Sequence, residues 1–547
     1  MSWDHTYDVV VVGSGAAAFA AAVTAADAGL SVVMLEGTDR WGGSSAMSGG
    51  GMWLPNNPLM QSDGAGDSRE EALAYLERTV GDAGPATSRA RKEAFVDGVA
   101  PMVTMVQRLG MRLSRAADYP DYYPELSGGK IGRALEVEPV DVRTLGDWWG
   151  TSRGQDGVPA PMKTDDFWLL QRAWSTPSGM VRGAQVMGRV AGMLVRRQRL
   201  VGMGAALMAS FLTIAQRLEI PLWLSCPVTE LVVEEGRVVG VRATRDGHDI
   251  TVAAARGVVL GSGGFDHNQE WRERYQGVDG RASSGSKGNR GTVHALAQQI
   301  GAALDLMDDA WWGGSVPPAT ADSSPAFLVS ERSVPHSIIV DAAGDRFANE
   351  SESYVDLGHH MLNHPVKGRF WMVSDARHAH RYLRSYAIDP KVIKAMFDAG
   401  IMIKAPTLGA LATEIGVDAA RLQATVDRFN GMARTGIDHE FGRGNSAYDR
   451  YYGDPLCHPN PNLGTIEKGP FTALEIVAGD LGTKGGILTD EHARALREDG
   501  SVIDGLYAAG NCSAAVMGHT YPGPGATLGP ATVFGHLAAR HIAKGNR

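Results

Sequence analysis

The sequence predicts an α/β fold in which a parallel-sheet domain, assembled from both ends of the chain, is interrupted by an inserted α+β domain. Three observations predict this arrangement. A Gly-rich turn between a buried strand and a helix opens the chain, buried strands recur up to residue 264, and one more strand follows near residue 506. Residues 1–282 and 476–547 are therefore predicted to form one domain, and residues 283–475 the insertion.

The chain begins with a strand, a turn and a helix in close succession. Residues 7–12 are near-continuously apolar, which is typical of a strand buried in a parallel sheet. An Ala-rich helix then runs to about residue 28, and a second strand at residues 31–35 ends at Glu36. This order of elements is that of a Rossmann-like βαβ unit.

The turn itself matches the pattern G-x-G-x-x-A in Gly13, Gly15 and Ala18. Gly13 permits the tight turn, Gly15 lets the backbone reach a pyrophosphate, and the small Ala18 lets helix and strand pack closely. The helix N-terminus then faces the phosphates, and Glu36 can accept a hydrogen bond from a ribose hydroxyl. The pattern predicts a dinucleotide site.

The sequence after Glu36 favours FAD over NAD as the dinucleotide. Glycines and hydroxyl side chains at residues 42–51 suit a loop that runs beside a long cofactor. Later strands complete the order typical of a flavoprotein, whereas NAD domains seldom need a closing C-terminal strand. These strands are predicted at residues 228–233, 238–243, 258–264 and 506–511.

The FAD is predicted to be bound non-covalently, because no histidine lies between His5 and His248. The predicted cofactor-binding residues are Gly13, Ser14, Gly15, Ala17, Ala18, Glu36, Gly42, Gly43, Ser44, Ser45, Ser48, Gly49, Gly50, Val228, Gly263, Gly510, Asn511, Thr527 and Leu528.

Composition and charge exclude several classes of partner. The formal net charge is −9 and the Lys and Arg residues are scattered, so no nucleic acid is expected to bind. The cysteines Cys226, Cys457 and Cys512 share no metal-binding or redox spacing, so no metal is predicted. Such a sparse set indicates reduced thiols and a cytoplasmic protein.

No stretch of the sequence reaches the roughly 18 apolar residues of a membrane span. Residues 200–215 come nearest, because they are uncharged and follow a run of arginines. One interpretation is a core helix that leads into a strand, and the alternative is a peripheral contact with a membrane surface.

The insertion is predicted to begin at a Gly/Ser-rich linker, residues 283–289. A β-hairpin follows, with strands at residues 337–340 and 346–347 around a turn. Helices are predicted at residues 353–362, 408–415 and 419–432. In such layouts a ligand usually binds between the domains, over the flavin ring.

The Pro/Gly-rich segment 518–530 offers two donors to one ligand. Tyr521 carries a phenol, and Gly525, which has no Cβ, lets its backbone N–H come close. Aimed at one point, the two groups would stabilise a carbonyl oxygen that gains negative charge. The alternative is an ordinary turn before a helix, since such turns are common.

Motifs along the whole chain resemble the FAD-dependent 3-ketosteroid Δ1-dehydrogenases, a family within the fumarate reductase/succinate dehydrogenase flavoprotein superfamily. The resemblance implies a Rossmann-like FAD-binding domain of the two-dinucleotide-binding type and an inserted catalytic, substrate-capping domain. The motifs that carry it lie at residues 121–124, 305–312, 345–350, 480–486 and 519–525.

The chemistry implied by this resemblance is a 1,2-desaturation of ring A, the 3-oxosteroid 1-dehydrogenase reaction. One hydrogen leaves C1 as hydride to flavin N5, and another leaves C2 as a proton. By motif position, the Tyr521 hydroxyl and the Gly525 N–H hold the C3 oxygen, Tyr354 takes the C2 proton, and Tyr122 supports Tyr354 and relays the proton. A free phenol has a pKa of about 10, so such a base needs a second phenol to share the proton.

Residues around these positions are assigned less specific roles. Tyr119 and Tyr123 are predicted to line the pocket or pack beside it. Further lining is expected from the unassigned aromatic residues Trp53, Trp311, Trp312 and Phe471.

Three alternatives remain open. A 3-ketosteroid Δ4-(5α)-dehydrogenase would need the same flavin and oxyanion site. A fumarate reductase-like enzyme would need several cations for two carboxylates, yet the segment 518–530 contains no Lys or Arg. A non-catalytic flavin module would need redox partners in trans. The expected partners are a 3-ketosteroid and a quinone or other electron acceptor. The preferred steroid and the oligomeric state stay open.

Overall fold

The computed structural model describes residues 2–157, 160–320 and 323–545. The strands in these ranges are β1 (His5–Val12), β2 (Val32–Leu35), β3 (Met52–Trp53), β4 (Leu113–Arg115), β5 (Ala134–Val137), β6 (Val140–Asp141), β7 (Leu200–Val201), β8 (Leu222–Trp223), β9 (Val228–Glu234), β10 (Arg237–Arg245), β11 (His248–Leu260), β12 (Leu304–Asp305), β13 (Ala310–Val316), β14 (Ala326–Phe327), β15 (Ser337–Val340), β16 (Phe370–Ser374), β17 (Met402–Ala405), β18 (Phe471–Thr483), β19 (Gly486–Ile487), β20 (Arg494–Leu496) and β21 (Val502–Ala508).

Helices fill much of the chain between the strands. They are α1 (Ala16–Asp27), α2 (Gly43–Met47), α3 (Pro58–Ser62), α4 (Arg69–Thr79), α5 (Arg89–Arg108), α6 (Thr164–Leu170), α7 (Pro177–Val195), α8 (Met203–Arg217), α9 (Gln269–Gln276), α10 (Thr292–Gln299), α11 (Tyr354–Leu362), α12 (Ala376–Arg381), α13 (Pro390–Asp398), α14 (Leu408–Ile415), α15 (Ala419–Thr435), α16 (Ala447–Tyr452) and α17 (Leu528–Lys544). Short 3-10 helices occur at Pro85–Thr87, Val142–Thr151, Arg153–Asp156, Ser385–Ala387 and Gly510–Cys512.

The larger sheet joins the two ends of the chain. Its strands lie in the order β20–β21–β11–β1–β2–β8, and β11 also pairs with β10, which pairs with β9. The strand pairs from β21 to β8 are parallel. Alternate side chains of β1 point to opposite faces, so Val9 and Val11 belong to one apolar core and Val10 and Val12 to the other. The sheet is therefore buried on both faces, as its continuous apolar strands predict.

Helix α1 starts where β1 ends, and it is Ala-rich because it is enclosed. All residues from Ala16 to Ala25 are buried. Their small side chains let α1 pack closely against α8 and α17 in one apolar core. This packing fixes the N-terminus of α1 at the carboxyl edge of the sheet, where ligands of open α/β sheets bind.

The second sheet is antiparallel and lies in the middle of the chain. Its strands follow the order β14–β13–β18–β16–β15, and β17 also pairs with β18. The central strand β18 crosses the predicted boundary between residues 475 and 476 and pairs with β13, β16 and β17. The exact domain limits remain a prediction. The two sheets with their helices give the predicted α/β class with an α+β insertion.

Most predicted elements are present, and their ends differ by a few residues. The helices predicted at residues 408–415 and 419–432 are α14 and α15. The strand predicted at 258–264 ends earlier, because Gly263 has φ +82° and the chain turns there towards a cavity. The predicted hairpin at 337–347 is wrong in its second strand. A single bridge joins Val340 to Arg346, and β15 pairs with β16 instead.

The apolar segment 200–215 is a core element. Most of α8 is buried between the main sheet and its neighbours, including Leu207, Phe211 and Ile214. The suggested membrane contact at this segment is therefore wrong. No helix within the described ranges is long and apolar enough to cross a bilayer.

Candidate active site

A cavity of about 820 Å³ runs from the N-terminus of α1 to a cluster of tyrosines contributed by distant parts of the chain. One end is lined by glycines and small polar side chains of the main-sheet domain. The other is lined by aromatic and aliphatic side chains, including Phe327 and Val329 from the middle of the chain. The two ends suit a dinucleotide and an apolar ligand respectively.

The turn after β1 forms the floor of the polar end. Gly13 has φ +104°, and a Cβ there would lie 2.6 Å from the Gly261 carbonyl oxygen, so only glycine fits. Gly15 is the N-cap of α1, and the next amide, from Ala16, donates to the Ser45 hydroxyl over 3.1 Å. Ala18 packs against Gly261, as predicted for close contact of helix and strand. The N-terminus of α1 is thus open to an anion.

The carboxylate of Glu36 is held at the edge of this floor. The Ser14 hydroxyl donates to its Oε2 over 2.6 Å, and the Thr38 backbone N–H and hydroxyl donate to its Oε1 over 2.9 and 2.8 Å. These bonds orient both oxygens beside the cavity that Glu36 lines. The position fits the predicted acceptor for a ribose hydroxyl.

The predicted cofactor-binding residues line this cavity, with two exceptions. Ala18 faces the strand instead. Gly42, in a left-handed conformation, donates its N–H to the Ser14 hydroxyl over 3.0 Å and so supports the loop from behind. The residues that line the described cavity include no histidine, and non-covalent binding of the FAD stays a prediction.

The stretch predicted as a linker is part of the cavity wall. The backbone N–H of Ser286 and the amide of Asn289 donate to the Ser44 hydroxyl over 2.8 and 3.0 Å. Neighbouring Lys287 and Arg290 also line the cavity. Sequence reasoning missed these residues, although their Gly-rich, cationic pattern is itself typical of a phosphate-binding loop.

The tyrosines predicted as catalytic meet at the apolar end. The Tyr122 and Tyr354 ring centroids are 5.4 Å apart, those of Tyr122 and Tyr521 5.1 Å, and those of Tyr354 and Tyr521 4.9 Å. Tyr354 is the first residue of α11, Tyr122 lies in the loop after β4, and Tyr521 precedes α17. Residues far apart in sequence thus form one aromatic cluster, and all three are at most 4% exposed.

The loop around Gly525 brings a backbone donor to the Tyr521 hydroxyl. Gly525 has φ +90°, and a Cβ there would collide with the Gly51 carbonyl. Its N–H is directed at the Tyr521 hydroxyl, to which the Thr527 hydroxyl also donates over 3.4 Å. The predicted phenol and N–H therefore lie side by side at the apolar end of the cavity, and their joint action on one ligand oxygen stays a prediction.

The same loop is tied to the segment that carries Tyr122. The Pro522 carbonyl oxygen accepts hydrogen bonds from the Tyr122 backbone N–H over 2.9 Å and from the Tyr75 hydroxyl over 2.6 Å. Because one carbonyl anchors both segments, the Tyr122 ring and the Tyr521 loop keep a fixed relative position.

Burial keeps the cluster protonated. It raises the pKa of Tyr354 and of Tyr122 well above the ordinary value, and neighbouring tyrosines add to the effect. Burial also raises the pKa of Tyr521, against the opposing effect of the hydrogen bonds that its hydroxyl accepts. At neutral pH all three side chains are therefore phenols that can donate a hydrogen bond.

Further phenols extend from Tyr122. The Tyr448 ring lies 4.3 Å from the Tyr122 ring, and the Tyr119 and Tyr452 hydroxyls are in hydrogen-bond contact. Tyr119 lines the cavity, whereas Tyr123 does not, since its hydroxyl donates to Asp356 over 3.0 Å. Of the two roles suggested for these residues, lining fits Tyr119 and packing fits Tyr123.

The aromatic residues suggested as further lining lie elsewhere, and this expectation is wrong. Trp53 packs behind the Gly525 loop and donates its indole N–H to Asp121 over 2.7 Å, and Trp311 lies behind Tyr521 with ring centroids 5.3 Å apart. Trp312 and Phe471 are buried in strands of the second sheet. The apolar walls come instead from Phe167, Trp168, Phe327, Val329 and Leu481, which no sequence motif singled out.

A buried ion cluster supports Trp311 from behind. The Asp309 carboxylate accepts from Lys484 Nζ over 2.9 Å and from His359 and His519 over 2.8 and 2.9 Å. Burial opposes ionisation of Asp309, but Lys484 and the histidines outweigh it and lower the Asp309 pKa. Lys484 in turn lies 5.0 Å from the centre of the Trp311 ring. The cluster therefore fixes the surface against which Tyr521 packs.

Comparisons with known proteins are consistent with this geometry. A family model described as an FAD binding domain matches residues 8–528. A 3-oxosteroid 1-dehydrogenase of Mycolicibacterium smegmatis is 45% identical over 98% of this chain and 97% of its own. A 4-oxocyclohexanecarboxylate 2-dehydrogenase of Sinomonas cyclohexanicum is 36% identical over 98% of this chain and 93% of its own.

A solved structure is also similar to this chain over nearly its whole length. It is a 3-ketosteroid Δ1-dehydrogenase of Sterolibacterium denitrificans in complex with 1,4-androstadiene-3,17-dione. Its TM-score is 0.92 and its identity 38%, and the match covers 99% of this chain and all of the other. This chain thus combines the fold, the cofactor-binding residues and the tyrosine cluster described above with similarity to these relatives over nearly its whole length.

Proposed function

Because the chain belongs to the FAD-dependent 3-ketosteroid Δ1-dehydrogenase family, we propose that it introduces a C1–C2 double bond into 3-ketosteroids by the mechanism that its own tyrosines suggest. The observation that carries the proposal is the close grouping of Tyr122, Tyr354 and Tyr521, with the Gly525 N–H beside the Tyr521 hydroxyl, at the apolar end of the cavity.

The first requirement of the reaction is a more acidic C2–H bond. A ketone acidifies its neighbouring carbon only as far as its oxygen can carry negative charge. The Tyr521 hydroxyl and the Gly525 N–H would both donate to the C3 oxygen and stabilise the developing enolate. Both donors lie in a buried, preorganised loop, so little reorganisation accompanies the reaction.

The second requirement is an acceptor for the C2 proton. Tyr354 is a phenol in the resting site, because burial raises its pKa. It can accept the C2 proton only as its own proton moves on. Tyr122, 5.4 Å away between ring centroids, is the neighbouring phenol that is not assigned to the oxyanion site. Tyr354 is thus proposed as the base, with Tyr122 as the relay.

FAD, when bound, supplies the acceptor for the hydride that leaves C1. The chain would hold its pyrophosphate at the N-terminus of α1 and its ribose at Glu36. The steroid thus loses one hydride and one proton in total. A quinone or another acceptor then takes up the two electrons. No residue of the described cavity distinguishes a quinone from another electron acceptor.

The cavity favours this reaction over that of a fumarate reductase. A dicarboxylate needs several cations, but Lys287, Arg290 and Arg153 line only the polar end, beside Ser44 and Thr38. The apolar end carries a carboxylate, Glu331, and no cation. A Δ4-(5α)-dehydrogenase shares the need for an oxyanion site, so the product must decide between these two.

The deciding experiment mixes the purified yellow protein, without oxygen, with androst-4-ene-3,17-dione and follows flavin absorbance. Bleaching with a 1,4-diene product supports the proposal, whereas turnover only of 5α-3-ketosteroids to 4-enes would establish the Δ4 alternative. A flavin that stays oxidised with both substrates would refute steroid dehydrogenation.

We also propose that helix α7 contacts an anionic membrane surface. Its residues Met180, Val181, Met187, Leu194 and Val195 are 56–84% exposed and form what we call the α7 surface. The sequence between residues 167 and 218 contains arginines but no Asp or Glu, in a chain of net charge −9. Exposed apolar side chains with nearby cations are typical of helices that lie in a lipid interface.

Sedimentation with vesicles tests this contact. The protein should bind vesicles that contain phosphatidylglycerol and not purely zwitterionic ones, and Met187→Glu with Leu194→Glu should abolish binding without changing turnover. Ile437→Glu, at an apolar residue elsewhere that is 51% exposed, is the matched control. Failure of the wild type to bind either vesicle would refute the contact. A cytoplasmic location remains a prediction from the sparse cysteines.

A further inference from the structure

The apolar end of the cavity contains one charged side chain that the proposed reaction does not use. Glu331 lines this end, and it is 2% exposed. The other charged lining residues of the described chain belong to the polar end, around Glu36, Arg153 and Lys287. A carboxylate in a pocket of aromatic and aliphatic side chains needs a physical reason, because burying it without partners is costly.

Glu331 lies four residues after Phe327, which contacts the tyrosine cluster. Phe327 meets Tyr354 with ring centroids 5.1 Å apart, and Phe327, Val329 and Glu331 line the cavity in alternation. Leu328 and Ser330 between them are buried away from it. Four residues span at most about 14 Å, so Glu331 lines the same cavity within that reach of Phe327, which packs on the proposed base.

Glu331 is fixed by contacts on one of its oxygens only. Its Oε1 accepts the Ser385 backbone N–H over 3.2 Å and is also in hydrogen-bond contact with the Ser385 hydroxyl. Its Oε2 has no hydrogen bond among the described residues, and no Lys, Arg or His of these residues forms an ion pair with Glu331. One oriented carboxylate oxygen is therefore left for a ligand in the cavity.

A carboxylate oxygen accepts hydrogen bonds and repels other acceptors. A steroid held by its C3 oxygen at Tyr521 directs its D ring away from the clamp along the cavity. A hydroxyl there would donate to Glu331, whereas a ketone or a carboxylate would bring a second acceptor against it. A polar group built to bind a substrate hydroxyl discriminates against analogues that lack it, because it is then left unpaired.

We propose that Glu331, held by Ser385, is a specificity-determining residue that accepts a hydrogen bond from a hydroxyl at the D-ring end of the steroid. The inference rests on the proposed 3-ketosteroid dehydrogenation and adds the preferred class of substrate to it. The enzyme then selects 17-hydroxy steroids over 17-ketones and rejects steroids with a carboxylate at that end.

The experiment compares testosterone, androst-4-ene-3,17-dione and 3-oxo-4-androstene-17β-carboxylic acid as substrates of the flavin-loaded protein. A hydrogen bond to a charged acceptor predicts a kcat/KM ratio of testosterone to the dione on the order of ten or more. In Glu331→Gln this ratio should fall towards one, and turnover of the carboxylate should rise. The amide keeps the size of the side chain and its acceptor for Ser385.

Two controls separate this inference from others. Glu475→Gln changes a partly buried carboxylate that does not line the cavity, and its substrate ratios should equal those of the wild type. Equal flavin content and thermal midpoint in all variants exclude a folding effect. If the wild type oxidises none of the steroids, the proposed function fails. If it oxidises them with ratios that Glu331→Gln leaves unchanged, only the role of Glu331 is overturned.

Discussion

Replacing Tyr521 by Phe tests the oxyanion site most directly. The variant removes one of the two proposed donors and leaves the Gly525 N–H in place. Removing one oxyanion donor from a buried site typically lowers kcat by about 10²–10³, or about 2.7–4 kcal/mol. We expect a loss in that range for Tyr521→Phe, since its hydroxyl is buried and preorganised.

The fold should tolerate this change. The phenyl ring keeps the contacts with Tyr122 and Trp311, at centroid distances of 5.1 and 5.3 Å. Besides backbone donors of its own loop, the hydroxyl accepts a long hydrogen bond from Thr527, 3.4 Å, and one from Tyr354. The free energy of unfolding should therefore change by no more than about 1.5 kcal/mol.

Stopped-flow reduction of the flavin by androst-4-ene-3,17-dione measures the chemical step. Because the donors act mainly on the enolate, kcat and kcat/KM should fall together. The isotope effect for C2-deuterated steroid should increase, since proton removal becomes slower. Tyr507→Phe is the matched control, a buried tyrosine outside the cavity whose hydroxyl contacts His541 over 2.9 Å. A Tyr521→Phe rate within threefold of wild type would refute the clamp.

Four other changes have defined outcomes. Tyr354→Phe should lower the rate of flavin reduction by at least about 10² while steroid binding persists, and Tyr122→Phe should lower it less and reduce the solvent isotope effect; wild-type turnover of either variant contradicts its role. Glu36→Ala should weaken FAD binding on the order of tenfold, measured by fluorescence of released FAD, and unchanged retention would exclude the ribose contact. Asp309→Asn should destabilise the protein by about 3–5 kcal/mol at pH 7, because Lys484 is left buried without its anion. The lowered pKa of Asp309 gives stability that is present above the unfolded value near 3.9 and lost as pH falls through the lower folded value, so denaturation curves of the variant should depend less on pH below 4.

The parts of the fold that follow from local pattern could be predicted from sequence. The strand–turn–helix at Gly13 is determined by apolar periodicity and glycine geometry, both of which act over a few residues. The pairing of β15 could not be predicted in this way. The turn after Val340 suggested a hairpin, but β16, some thirty residues later, offers a longer strand and forms the actual partner. A short stretch of sequence does not show whether a strand will pair with a nearby segment or with a distant one.

The residues of the site also divide into those that a local sequence pattern predicts and those that it does not. Tyr521 and Gly525 lie in one short segment, so the sequence alone predicts that they lie close together. The apolar wall is built from single residues on unrelated segments, such as Phe167, Phe327 and Leu481, and nothing in their neighbourhoods marks them. Size and hydrophobicity do not separate a pocket-lining tryptophan from one in the core, where Trp53 and Trp312 are found.

The distribution of the cavity lining along the chain has a consequence for evolution. The proposed oxyanion donors, the proposed relay Tyr122 and most of the cofactor cradle are encoded by the two ends of the gene. Phe327, Val329, Glu331 and Ser385 lie within sixty consecutive codons in its middle, which also include the proposed base Tyr354. Mutations confined to that short region can reshape the contact with the far end of a substrate while the oxyanion donors stay untouched. A lineage can therefore acquire new ketone substrates through substitutions in this region that leave Tyr354 unchanged, without passing through an inactive intermediate.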